Sequence, residues 1–328
     1  MSAAVFLRLL AIFIVVALGW FAGRMRWLGD ERSGADPART LGYAAFYIFV
    51  PALLFRTTSR IDFRTLPWGL LAAFFGPVLM LLLGVYAWER RRIALGAGEA
   101  AAPSVRAVSC TFGNTVQIGI PVASALFGEA GLGLHVTIVS LHALTLLSVL
   151  TLLVELDVAR ARARHEPARS LAATMATTLR NTIIHPVVLP VLAGLAWNAG
   201  GLPIPPVADE VLETLGSAVV PLCLVLIGMS LAYYGLRGAV RGAVLLTLAK
   251  LLALPALVLA VAHWGFGLSG LPLAVVVMTA ALPVGSNALI FSQRYETLEG
   301  ETTAAIALST FAYVLTAPLW LGILAMLT

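Results

Sequence analysis

Charge is what this chain has least of. Asp, Glu, Lys and Arg together make up 11% of its 328 residues, where a soluble domain carries about 25%. That shortage excludes an ordinary soluble enzyme, and secretory, nuclear and disordered readings fail with it. Cysteine is almost missing as well. Cys110 and Cys223 both sit inside apolar runs, which argues against a disulfide framework or a cysteine-built metal site. No Asp or Glu falls in the middle of an apolar segment, so neither an acidic proton relay nor a carboxylate-built sodium site is visible. Hard cations take oxygen ligands, and backbone carbonyls could supply them, so sodium is disfavoured rather than excluded. There is no Walker motif and no polar portion large enough to bind ATP, which excludes primary active transport by this chain alone. No cofactor and no metal are expected.

What is present in excess is apolar sequence. Hydrophobic residues account for 60% of the chain and the mean hydropathy is +0.96. At about 20 residues per bilayer-crossing helix, the chain holds roughly ten crossings with short connections. Ten segments can be marked, at 5–23, 41–58, 68–88, 105–127, 132–156, 171–198, 211–233, 239–263, 271–293 and 302–327. The first lacks a small-residue cleavage site ahead of a polar stretch, so it reads as a crossing and not as a signal peptide. The expected fold is an all-α polytopic membrane protein with the lipid bilayer as its partner. The one long polar connection, 158–170, contains Arg160, Arg162, Arg164 and Arg169 and reads as a solvated linker facing anionic lipid heads. It separates a first repeat, 1–157, from a second, 171–328.

The net charge of +5 and an isoelectric point near 9.6 raise a nucleic-acid reading, but placement excludes it. The connections after segments one, three, five, seven and nine contain 16 Lys and Arg residues, against 4 on the opposite side. By the positive-inside rule this puts both termini outside a cytoplasmic (inner) membrane. An odd number of crossings per half then gives the two halves opposite orientations. Trp20, Trp27, Trp68, Trp88 and Trp320 fall near segment ends and read as interfacial anchors. Glu155 and Asp157, at the basic end of segment five, read as partners of nearby arginines.

The two halves also share punctuation. Val50-Pro51 in segment two is matched by Val220-Pro221 in segment seven. Segments four and nine are each interrupted, by Gly113-Asn114-Thr115 through Pro121 and by Pro283-Val284-Gly285-Ser286-Asn287. Paired, Gly/Pro-interrupted crossings at corresponding positions are the sequence mark of a transporter binding site. Pro121 has no N–H and clashes with the carbonyl four residues back, so the helix is expected to open there. Asn114, Gln117, Ser286 and Asn287 would supply donors and acceptors beside opened backbone. The competing reading is a packing kink whose amides hold helices together. Half-helix N-termini meeting at such a crossing favour an anion. Lys250, near the centre of segment eight, is costly in mid-membrane. It is expected either to attract a substrate carboxylate or to donate to carbonyls freed by Pro255 or by a neighbouring broken helix. His142 and His185 read as satisfied core histidines more readily than as proton relays.

Three stretches resemble the auxin efflux carrier family: GNTVQIGIPVASALFG (113–128), VPALLF (50–55) and ALPVGSNALIFSQRY (281–295). VVPLCLVLIGMSLA (219–232) and LSTFAYVLTAPLWL (308–321) fit its second half. The resemblance covers nearly the whole chain, and the short middle connection matches the bacterial members, which are generally assigned small carboxylates, rather than the plant ones. It implies ten transmembrane helices in two inverted five-helix repeats, as in bile-acid/sodium symporters. Broken helices four and nine would cross near the membrane centre at Pro121 and Pro283. Helices one, two, six and seven would form a scaffold, and three to five with eight to ten a transport bundle. The implied substrate-binding residues are Asn114, Gln117, Pro121, Pro283, Ser286 and Asn287, with Lys250 added from its depth. The implied function is an elevator-type secondary carrier of a small organic anion. A sodium-coupled symporter and a non-transporting receptor stay open as alternatives, as does a homodimer through the scaffold helices. A membrane enzyme would need a converging acid/base or metal constellation, and none is visible.

Overall fold

Backbone amides in a hydrocarbon layer have no water to bond, so apolar runs of this length satisfy their backbone internally, as helices. The computed structural model describes residues 3–29, 36–60, 66–94, 99–165, 180, 184, 186, 188–234 and 240–327. These are almost wholly helical, with no strand among them. Six helices are long and apolar enough to cross a membrane: Pro37–Ser59, Trp68–Ile93, Val122–Ala161, Pro206–Tyr233, Val240–Gly265 and Glu299–Ala325. Shorter apolar helices include Val188–Ala199 and Gly270–Ala280, which fall in segments six and nine. Much of segment six, His185 included, and the 166–170 end of the polar connection lie outside the described residues. The helix of segment five runs on through Arg160 to His165, so the polar connection begins as helix and not as coil.

Prolines shape these helices in an unexpected way. Three times a wide π turn comes just before a Pro-containing helix: Ala45–Phe49 before Pro51, Thr115–Gly119 before Pro121, and Ala249–Ala253 before Pro255. A π turn takes bonds from five residues back, which relieves the clash between the proline ring and the carbonyl below it. Segment four therefore does not open at Pro121, as the sequence predicts. It opens earlier, after the helix Ala102–Thr111, where Phe112 turns to extended backbone.

The helix Ala3–Arg24 packs along Pro206–Tyr234 over most of its length. The contact is close because Gly19 and Gly228 have no side chains: a Cβ on either would overlap the facing carbonyl of Val225 or Val16, a small-residue packing typical of membrane helices. Val50–Ser59 packs on both Val188–Ala199 and Pro206–Tyr234. Trp68–Ala94 packs on Ala102–Thr111, and Val240–Leu248 on Glu299–Ala325. Contacts also run between these groups of helices, Pro206–Tyr234 meeting Glu299–Ala325 and Asn287–Arg294 meeting Pro37–Ala44.

Charge gathers at helix ends. Arg106 bonds Glu89 at 2.6 Å and Glu301 at 2.8 Å, tying segments three, four and ten. Asp157 pairs with Arg90 at 3.3 Å and Arg160 at 3.1 Å, while Glu155 accepts from the Tyr295 hydroxyl at 3.1 Å. Trp320 corrects the anchor reading. It is buried, and its indole donates to the Leu251 carbonyl at 2.8 Å, inside the π turn that loosens that backbone. Trp20, Trp27, Trp68 and Trp88 are exposed.

Candidate functional site

The two interrupted segments meet. Gly113 and Val284 form an antiparallel bridge, with the Asn114 amide donating to the Pro283 carbonyl and the Gly285 amide to the Phe112 carbonyl, both at 2.8 Å. Backbone opened by the breaks is thereby satisfied by the other break, as burial in an apolar layer demands. Glycine is required at 285, since a Cβ there would lie 2.7 Å from the Gly113 carbonyl oxygen. The freed Val284 amide donates to Ser309 Oγ at 3.0 Å. The crossing thus falls at Gly113 and Val284. Pro283 is within it, whereas Pro121 stands beyond it in the following helix.

Two buried side chains brace the crossing from behind. Lys250, fully buried in its π turn, donates from Nζ to the Ala280 carbonyl at 2.6 Å. That carbonyl ends the first half-helix of segment nine, so the cation sits at the negative end of a helix dipole. His135 joins the two broken segments. Its Nε2 lies 2.8 Å from the Thr115 carbonyl and its Nδ1 2.8 Å from Thr279 Oγ1. A carbonyl can only accept, so Nε2 carries the proton and, in the neutral ring, Nδ1 accepts from the threonine hydroxyl.

In front of the crossing is a cavity of about 390 Å³. Asn114, Thr115, Ser286 and Asn287 line one side, with Phe112 and Val116 as apolar neighbours. Segment two contributes Leu53, Leu54, Arg56 and Arg60, segment seven Glu213, Gly216 and Val219, and segment five Ser140 and His142. Asn114 and Ser286 are buried. At the mouth, Arg56 bonds Asp209 at 2.9 Å and Glu213 at 2.7 Å, and Arg60 also pairs with Asp209. Two arginines there are paired with two carboxylates. The interior presents the first turns of the helices that start at Thr115 and Asn287, whose dipoles place partial positive charge there, although Ala288, Leu289 and Ile290 already donate to the Gly285 and Ser286 carbonyls.

Of the seven candidate residues, the structure gathers Asn114, Ser286 and Asn287 on the cavity wall. Pro283 shapes the crossing without lining the cavity, and Lys250 lies behind it. Gln117 falls in the π turn and Pro121 in the next helix, and the side chains of both lie outside the described residues. Sequence reasoning missed Arg56, Asp209 and Glu213, because a pairing 153 residues apart leaves no local trace. It also missed His135, which the same isolation in an apolar run that marked His142 could have flagged. A second hollow, of about 760 Å³, lies at the opposite ends of the same helices. Tyr43, Tyr47, Arg180, Glu155, Arg294 and Tyr295 are on its walls. Among the described residues no three His, Cys, Asp or Glu side chains are grouped to hold a metal ion.

Discontinuous apolar helices thus meet over a cavity with a polar patch on one wall, an arrangement that fits a membrane transporter. The family model described as membrane transport protein matches residues 4–321, and the chain belongs to that family, the auxin efflux carriers. It is 25% identical over 317 residues to an uncharacterized transporter of Methanothermobacter thermautotrophicus, covering 95% of each chain. It is 25% identical over 322 residues to the uncharacterized transporter YfdV of Escherichia coli K12, again covering 95% of each. A third relative, the uncharacterized transporter MJ1031 of Methanocaldococcus jannaschii, is 24% identical over 319 residues, which is 95% of this chain and 96% of the relative. The family consists of transporters, so the chain is a multi-pass membrane transporter and not an enzyme.

Proposed function

We propose that the protein is a secondary carrier of a small organic anion, a carboxylate, in the cytoplasmic membrane, working by an elevator-like movement. The cavity is the observation that carries this reading. One wall is the crossing of segments four and nine, and the facing wall is segments two and seven. A substrate held there lies between two bodies that can slide past one another, in the arrangement expected of ten crossings in two inverted five-helix repeats. The hollow at the opposite helix ends is likewise bounded by segment two on one side and segments five and nine on the other, which supports access from each side in turn. The anion preference rests on the two half-helix N-termini. Of the opposing C-terminal ends, the Ala280 carbonyl is occupied by Lys250 and the Phe112 carbonyl by the Gly285 amide. Asn114, Ser286 and Asn287 then orient the carboxylate. Lys250 and Pro283 act through the crossing, while Gln117 and Pro121 belong to the helix that leads away from it.

The test is uptake into proteoliposomes holding the purified protein. Labelled acetate, malonate and benzoate are offered without ATP. Flux of at least one of them, lost in Asn114→Ala, is the expected result. Binding without flux would instead favour a receptor, and flux that vanishes without sodium would favour a symporter.

A further inference from the structure

We infer that His142 is a substrate-contacting residue, giving the bound anion a hydrogen bond from segment five beside those of Asn114 and Asn287. The inference rests on the proposal that the 390 Å³ cavity is the substrate site. His142 lines that cavity and is only 1% exposed. Its ring meets the edge of Phe112 at 4.5 Å between centroids and lies 6.1 Å from Phe74. Its Nδ1 is buried with no partner, and no described residue bonds either ring nitrogen.

His135 makes the contrast. It lies on the same helix, and both of its nitrogens are engaged at 2.8 Å. A neutral imidazole carries one donor and one acceptor, and a buried polar group without a partner is costly enough to be rare in native structures. Because Nδ1 is sealed off, Nε2 is the nitrogen through which this histidine on the cavity wall can meet a partner that arrives with the substrate. Through Phe112 it also touches the first break, close to Asn114. The ligand class it fits is a carboxylate, whose oxygens accept from the amides and from the imidazole N–H together.

The experiment compares His142→Phe, His142→Gln and Asn114→Ala in purified protein. Each is examined for unliganded melting temperature and for affinity toward whichever of acetate, malonate or benzoate stabilises the unsubstituted protein most. His142→Phe keeps the ring contacts with Phe112 and Phe74 and removes an unmet polar group. Its melting temperature should therefore equal or exceed that of the unsubstituted protein, while affinity falls about tenfold or more. His142→Gln restores an N–H and should recover most of the affinity. If His142→Phe binds normally, or if it melts several degrees lower and glutamine does not rescue binding, the inference fails. If Asn114→Ala loses binding while His142→Phe keeps it, the cavity reading survives without this residue. If neither loses it, or if no carboxylate stabilises the unsubstituted protein, the cavity reading falls first.

Discussion

A single side chain in this protein matters according to whether it faces the cavity or the crossing behind it. Asn114 and Asn287 face the cavity. Losing one hydrogen bond to a charged ligand costs about 1.5–3 kcal/mol, or roughly ten- to a hundredfold in affinity. Asn114→Ala and Asn287→Ala should each show that loss by calorimetry while still purifying as folded protein. Normal affinity in both would leave the crossing as architecture only. Asn198 looks from the sequence like a neutral control. It bonds the Ser59 carbonyl at 3.0 Å, however, and so caps the helix that carries Arg56. Thr137, which bonds only within its own helix, is the better control. Lys250→Met sets two effects against each other. It relieves the burial of an ammonium, and it leaves the Ala280 carbonyl without its donor. These oppose, so melting should shift little. Binding should weaken severalfold, because the negative end of the half-helix is no longer neutralised. Unchanged affinity in a monodisperse preparation would make the lysine purely structural.

At the scale of elements, the sequence is legible where composition decides and silent where tertiary pairing does. The apolar runs place the long helices, and the two Gly/Pro-rich interruptions place the breaks to within a few residues. Pro121 misleads because proline only forbids a regular α turn, and a π turn meets the same demand without opening the helix. The true opening at Phe112 carries no proline and is held open by bonds to a segment about 170 positions away, which no local pattern records. His135 and Ser309 serve that junction from two further helices, so their roles become visible only once the breaks have met. The junction also makes a prediction about backbone. Gly285→Ala puts a Cβ 2.7 Å from the Gly113 oxygen and must push the two bridged segments apart. Overpacking of this kind costs about 1–3 kcal/mol. The variant should melt lower and lose transport together, whereas Pro121→Ala should insert and melt normally and slow only the transport cycle. Equal behaviour of the two variants in paired melting and uptake assays would remove the distinction between the crossing and the helix that follows it.

For the whole molecule the governing quantity is sidedness. The cavity mouth lies where the helix Val50–Ser59 ends and Pro206–Tyr234 begins, with Arg60 and Glu213 exposed there. Arg39, Arg90 and Arg160 lie at the opposite helix ends. The connections that the sequence assigns to that side carry 16 Lys and Arg, against 4 on the other, and the positive-inside bias is the ground for proposing that the more basic side is cytoplasmic. In this proposed orientation, with both termini outside, the cavity opens to the exterior. This can be read with single cysteines in intact cells, because Cys110 and Cys223 are both buried and can be replaced beforehand. Ser217→Cys, on the cavity wall, should react with a membrane-impermeant thiol reagent, and a saturating carboxylate substrate should slow that reaction. Arg164→Cys, in the basic connection, should react only after the membrane is permeabilised. The reverse pattern would invert the molecule in the membrane and turn the described cavity into a cytoplasmic one. Protection of Ser217→Cys by substrate, with no reaction at 164, would tie the charge asymmetry, the cavity and the ligand to a single outward-facing state.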